Sequence, residues 1–166
     1  MTTHVRRAQP QELEAVVAVL REAAQWLIDT AHPLWRLADF TPESLAGAVG
    51  AGEYFIACDG EGPVGVIKLE WEDPLFWPDV PTGKGLYLHK LAGVRHAAGR
   101  GVTDALLNFA SAHAAALGRV YLRLDCAADR PSLCQVYERR GFRFHSHRTV
   151  GSYFVARYER PVKRTA

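Results

Sequence analysis

Residues 86–107 constrain this chain more than any other stretch. Leu86 to Ala92 is an apolar run of strand length, Gly93 follows it, and then comes Ala98-Gly99-Arg100-Gly101-Val102-Thr103. Behind that loop Val102, Ala105, Leu106, Phe109, Ala112, Ala116 and Leu117 recur at helical spacing, with Thr103, Asp104, Asn108 and Ser111 on the opposite face. A buried strand feeding a glycine loop and a helix start makes an anion site. The first N–H groups of the helix lack partners within it, the dipole is positive there, and glycines let a phosphate approach the backbone. The loop has neither the Gly-x-x-x-x-Gly-Lys-Ser/Thr of a P-loop nor the Gly-x-Gly-x-x-Gly of a dinucleotide fold. A plain strand-turn-helix junction would read the same way from these residues alone.

With 166 residues the chain is most simply one domain, 1–166, large enough for one substantial core. The apolar share of 48%, the charged share of 23% and a net charge of +2 suit a globular protein and give no argument for nucleic acid. Arg157, Arg160, Lys163 and Arg164 form a mild basic cluster that reads as a solvated tail. No run has the length of a membrane span and the start lacks a secretory core, so a cytoplasmic protein with no membrane partner is expected. Cys58, Cys126 and Cys134 are odd in number and form no Cys-x-x-Cys, which fits buried thiols in a reducing compartment.

In chain order, Val5 to Ala8 reads as a first strand and Pro10 opens a helix that buries Leu13, Val16, Val17, Leu20, Ala24 and Leu27. Thr41-Pro42-Glu43 starts a second, short helix that stops near Gly50-Ala51-Gly52. Glu53 to Cys58 and Val64 to Trp71 read as strands about a turn at 59–63, and 73–84, with three prolines, as a loop. The central strand and helix follow, the helix ending at Gly118. Arg119 to Asp125 reads as a strand, Arg130 to Arg140 as a helix closed by Gly141, and Phe142 to His147 with Tyr153 to Arg160 as a final strand pair.

The resulting order, β-α-α-β-β-β-α-β-α-β-β, together with two stretches, resembles the GNAT superfamily of acyl-CoA-dependent N-acyltransferases. The loop 98–103 is similar to its Gln/Arg-x-x-Gly-x-Gly/Ala pyrophosphate loop, keeping Gly101 but with Ala98 and Thr103 at the two ends. Residues 130–142 look like its second motif, Asn-x-x-Ala-x-x-x-Tyr-Glu-x-x-Gly-Phe. The ending Tyr137-Glu-Arg-Arg-Gly141-Phe142 is complete, whereas Arg130 and Leu133 replace Asn and Ala. The resemblance implies an α/β fold with a mixed, mostly antiparallel sheet of 6–7 strands, about 4 flanking helices and a splay between the two central strands. It implies an N-acetyltransferase acting directly between acetyl-CoA and the primary amine of a small molecule, and it allows a homodimer.

By the same resemblance, amides of Leu91, Ala92, Gly93 and Val94 polarise the thioester, with Gly93 suited to a bulge. Ala98, Gly99, Arg100, Gly101, Val102, Thr103 and Arg130 hold coenzyme A, and Tyr137 also touches it while protonating the departing thiolate. A phenol, with its ordinary pKa of about 10, suits an alkyl thiol. The general base is sought at His89, since imidazole titrates near neutrality, or at Glu72, with Glu70 beside it. Each of these residues has a bland reading: core tyrosine, helix-end arginine, structural histidine. His145 and His147 fall on one strand face without a third ligand, so no metal is expected. Trp26, Trp35, Trp71 and Trp77, with His32, Phe76, Asp39, Asp73 and Asp79 near them in sequence, are the acceptor candidates, because aromatic faces and carboxylates suit a cationic amine. A non-catalytic acyl-CoA-binding module, a peptide-amine acylase, and a domain holding another phosphate ligand are the competing readings. Covalent relay through Cys126 or Cys134 ranks low.

Overall fold

The computed structural model describes residues 2–163. Among them run β1 (His4–Arg7), α1 (Leu13–Asp29), α2 (Pro42–Gly50), β2 (Tyr54–Asp59), β3 (Gly62–Glu70), β4 (Gly85–Gly93), α3 (Val102–Ala116), β5 (Tyr121–Ala127), α4 (Pro131–Glu138), β6 (Arg143–Val150) and β7 (Tyr153–Pro161). This is the element order read from the sequence. The seven strands hydrogen-bond in the order β1-β2-β3-β4-β5-β7-β6. β4 and β5 are parallel, paired over Gly85 to Tyr87, while β1–β2, β2–β3, β5–β7 and β6–β7 are antiparallel. The expected mixed, mostly antiparallel sheet is therefore present. No helix among the described residues is long and apolar enough to cross a membrane. Packing resolves into two compact units: one takes everything up to Leu69 together with His89–Phe109, and the other takes Glu70–Leu88 and everything from Ala110.

In the first unit, Pro10 opens a tight turn that leads into α1, which buries Val16, Val17, Val19, Leu20 and Ala24. α2 begins on a reciprocal cap. Thr41 Oγ1 accepts the Ser44 N–H at 3.1 Å, Ser44 Oγ accepts the Thr41 N–H at 3.0 Å, and Pro42 takes the first helical position. The buried positions of α3 are Val102, Leu106, Leu107, Ala110 and Ala114, not the stripe expected through Ala112, Ala116 and Leu117, which are exposed. The reason is composition: alanines at 105, 110, 112, 114, 115 and 116 leave apolar positions on every side, so periodicity alone does not choose the face.

The start of α3 lies very close to β3. A Cβ on Gly65 would stand 2.6 Å from Val102 Cγ1, 2.9 Å from the Ala92 carbonyl oxygen and 3.1 Å from Leu106 Cδ1.

In the second unit, α3 ends with the Arg119 N–H on the Ala114 carbonyl and the Gly118 N–H on that of Ala115, with Gly118 at φ 73°. That pair of bonds is the Schellman pattern, and it is why a glycine stands there. Arg157 and Arg160 of the expected basic tail belong instead to strand β7, whereas Lys163 is exposed beyond it. Arg157 is 4% exposed, and Arg160 bonds the Arg140 carbonyl at 2.8 Å and Ser111 Oγ at 2.6 Å while lying over the Phe142 ring. Arg164 lies outside the described residues. Strand alternation and distant partners bury these arginines, and local charge counting does not see either.

Gly65→Ala should cost roughly 1–3 kcal/mol, because the backbone carbonyl of Ala92 has little room to yield. Gly47→Ala, inside α2 with nothing within 4 Å, should gain about 0.5–1 kcal/mol. Urea denaturation of both variants checks the opposite signs.

Candidate functional site

The loop before α3 has the geometry of an anion cradle. Gly99 and Gly101 both take left-handed backbone, φ 79° and 80°, and space is open where their side chains would be. Bonds from the Ala98 N–H to the Arg95 carbonyl and from the Arg100 N–H to the Ala97 carbonyl fold the loop tightly, and the Ala105 N–H on the Gly101 carbonyl starts the helix. The N–H groups of Val102 and Thr103 are thus the unpaired first donors of α3. Arg95, His96 and Arg100 are exposed on the same loop. Open backbone, free donors and positive charge match a polyphosphate.

Leu91 to Val94 follow the half-buried His89 and Lys90 along β4. The sequence pointed to a bulge at Gly93, but the irregular residue is Lys90. Its φ of 52° is left-handed in mid-strand, whereas Gly93 closes the strand without a positive φ. Such a conformation costs a non-glycine residue on the order of 1 kcal/mol and turns the peptide after it out of the regular ladder. The Val94 N–H then rejoins β3 at the Val64 carbonyl.

Two tryptophans of this first unit already carry a cation. The Lys90 ammonium lies 5.5 Å from the Trp35 ring and 5.8 Å from that of Phe40, and the Arg95 guanidinium lies 3.9 Å from that of Trp26. Glu22 of α1 accepts the Arg95 N–H at 3.0 Å.

In the second unit, α4 starts at Pro131 behind Arg130, with Leu133 and Cys134 donating to the Arg130 carbonyl. Tyr137 is a half-buried residue. Burial first, and then the neighbouring Cys126, push its pKa well above the ordinary phenol value, so it stays protonated near neutral pH. The Cys126 and Cys134 sulfurs lie 3.1 Å apart. Burial and the Cys134 thiol raise Cys126 strongly, which removes it as a nucleophile. The six-residue ending of the second motif is a helix stop. The Phe142 N–H bonds the Tyr137 carbonyl, the Gly141 N–H bonds that of Glu138, Gly141 sits at φ 84°, and the Tyr137 and Phe142 rings meet edge-on at 5.8 Å. Glu138 accepts the Tyr158 hydroxyl at 2.6 Å.

The proline loop is fastened within the same unit. Glu72 Oε1 accepts the Gly83 N–H at 2.8 Å and pairs with Arg119 at 3.1 Å. Trp77 is 3% exposed, with the Arg123 and Arg157 guanidinium groups 5.1 and 4.9 Å from its ring and His145 at 5.0 Å. Arg157 grips both oxygens of Asp79, at 2.6 and 3.1 Å, and also the Phe76 carbonyl. Trp71 is 61% exposed. The two histidines expected on one face do not share it: a register shift between Phe144 and Ser146 turns His145 to Trp77 and leaves His147 between Phe144 and Phe154. Lys90, Arg95 and Arg157 escaped the sequence reading, since nothing local distinguishes a stacked or buried cation from a solvated one.

Residues 20–142 match the Acetyltransferase (GNAT) family. An uncharacterized N-acetyltransferase of Bacillus subtilis, YesJ, is 29% identical over 141 residues, covering 81% of this chain and 78% of that protein. Among solved structures, a GNAT-family acetyltransferase from Listeria monocytogenes superposes with a TM-score of 0.79 at 22% identity, covering 95% of this chain and 94% of the other. The PaiA N-acetyltransferase of Thermoplasma acidophilum, solved in complex with coenzyme A, gives 0.73 at 17% identity, covering 95% and 98%.

The Asp79–Arg157 pair makes the proline loop sensitive to acid. Arg157 holds the Asp79 carboxyl at about 2, below its ordinary 3.8, so the stabilisation it gives is complete above the ordinary value and is lost as pH falls through about 2. Tryptophan emission should therefore hold from neutrality to about pH 4 and change below it. In Asp79→Asn that acid step should disappear, with the loop already loosened at pH 7.

Proposed function

The chain belongs to the acetyltransferase (GNAT) family, and from that membership we propose that it transfers the acetyl group of acetyl-CoA directly to the primary amine of a small molecule. The observation that carries this is the loop at Gly99 and Gly101, whose left-handed glycines, open space and unpaired α3 amides suit the pyrophosphate of coenzyme A. Arg100 adds charge there, and Arg130 is suited to the 3′-phosphate or the pantetheine arm. Acetyl-CoA supplies an activated acyl carbon and a thiolate leaving group.

This chain's own groups supply the rest. The peptide that follows left-handed Lys90 turns amides from Leu91 to Gly93 toward the carbonyl oxygen as it gains charge, whereas the Val94 N–H is taken by the Val64 carbonyl and drops out of the expected set. Tyr137, kept protonated by burial, is the proton donor to the thiolate. His89 is the base that takes the amine proton. We assign Glu72 to closing the proline loop, since its Oε1 is engaged by Gly83 and Arg119, and Trp77 to anchoring that loop. Trp26, Trp35 and Trp71 remain the acceptor candidates, each with exposed or half-buried aromatic surface.

A thermal-shift titration with acetyl-CoA and CoA, followed by thiol release against spermidine, phenethylamine and glycine, tests the proposal. Stabilisation with amine-dependent release is expected. Stabilisation without release across a wider panel would favour a non-catalytic acyl-CoA-binding protein, and no stabilisation would end the proposal. Tyr137→Phe should lower kcat on the order of 100-fold while leaving acetyl-CoA binding unchanged. His89→Gln should lower kcat on the order of 100-fold with acetyl-CoA binding kept; an unaltered kcat would hand the proton to water.

A further inference from the structure

We propose that Lys90 is a positioning residue for the acceptor: it fastens the segment between α1 and α2 onto the strand whose next peptides meet the thioester. The inference rests on the acetyl-transfer function proposed above. It begins with an oddity of backbone. Lys90 is left-handed in the middle of β4, a conformation that glycine or asparagine adopts at lower cost and that no lysine side chain favours. A lysine at such a position is explained by what its ammonium reaches.

That ammonium stands 5.5 Å from the Trp35 ring centroid and 5.8 Å from that of Phe40, and the two rings meet edge-on at 5.7 Å. Phe40 is 2% exposed, so one half of the aromatic pair is fixed in the core. Trp35 is only half-buried and belongs to a stretch, 30–41, with little regular structure. Arg21 of α1 holds that stretch from the other side, through the Leu37 and Phe40 carbonyls at 2.8 and 3.1 Å. Trp35 is thus the less enclosed partner, and its anchor is a residue of β4 adjacent to Leu91. A second cation just beyond the strand repeats the arrangement: Arg95 stacks on Trp26 at 3.9 Å and its own N–H is held by Glu22. Cation–π contacts keep much of their strength where the cation is partly desolvated, as half-buried Lys90 is. Their direction also fixes which ring face the segment presents. The left-handed turn at Lys90 therefore does two things. It turns out the peptide that follows, and it aims the side chain that registers the acceptor-side aromatics against that peptide.

Three variants separate this from a purely structural role. Lys90→Gly keeps the left-handed backbone and removes the cation, Lys90→Arg keeps a cation over the rings, and Lys90→Met keeps the stem without charge. The readouts are acetyl-CoA affinity by calorimetry, deuterium uptake over 30–41, and thiol release with whichever of spermidine, phenethylamine and glycine the wild type uses. Lys90→Gly and Lys90→Met should bind acetyl-CoA within about twofold of wild type, exchange faster over 30–41, and raise the amine KM about tenfold with kcat changed by less than about threefold. Lys90→Arg should stay within about threefold of the wild-type KM. Unchanged uptake over 30–41 with unchanged KM in the Gly and Met variants would overturn the proposal. So would parallel loss of acetyl-CoA binding in all three, which would make Lys90 a folding residue. If the wild type binds no acetyl-CoA, the acetyl-transfer function fails first, and faster exchange in Lys90→Gly would then reduce Lys90 to a structural pin.

Discussion

The closeness of α3 to β3, which only a glycine at 65 permits, is the constraint on which the anion loop depends. With no Cβ at that position, Val102 and Leu106 settle directly on the strand, within contact of the Ala92 carbonyl. The first turn of α3 is thereby fixed in height above β3 and β4, and the N–H groups of that turn are fixed with it. Interiors pack densely enough that a shift of one methyl group is felt. Backbone donors need this, because unlike side chains they cannot adapt by changing rotamer. The glycines at 99 and 101 supply shape and Gly65 supplies position.

A different solution serves the proline loop of the second unit. Residues 73–84 contain no strand or helix, and their hold on the fold comes from polar groups that are themselves buried. Arg157 satisfies Asp79, the Phe76 carbonyl and Ser146 Oγ at once, so its guanidinium is desolvated but fully engaged. Arg123 likewise bonds Tyr87 and Glu159. Trp77 takes apolar and cation–π contact from both arginines and leaves its indole N–H without a partner among the described residues. Buried charges are costly unless paired, and here the pairing is what ties an irregular segment down.

What was legible in the sequence follows from the range of each signal. The order of elements along the chain, the capped start of α2 and the ends of α3 and α4 rest on local residues, among them Thr41-Pro42, Gly118 and Gly141, and these read correctly. The face of α3 did not, because its alanines carry no contrast. Arg157 was mistaken for tail because its carboxylate partner lies 78 residues away. His145 and His147 were separated by a single register shift, and a left-handed lysine has no sequence signature at all. In each of these cases the deciding fact is either a distant partner or one backbone angle.

The same separation sharpens what the second motif signifies. Its spacing, Tyr-Glu-x-x-Gly-Phe, is accounted for by helix termination: Gly141 takes the left-handed position, Phe142 meets the ring of Tyr137, and Glu138 is held by Tyr158. A chain of another function that ended a helix this way could share all of it. Helix termination asks residue 137 only for an aromatic ring, and phenylalanine would provide that. The oxygen on Tyr137 is therefore the part of the motif that helix termination leaves unexplained, and it is the group to which we assign the proton for a departing thiolate.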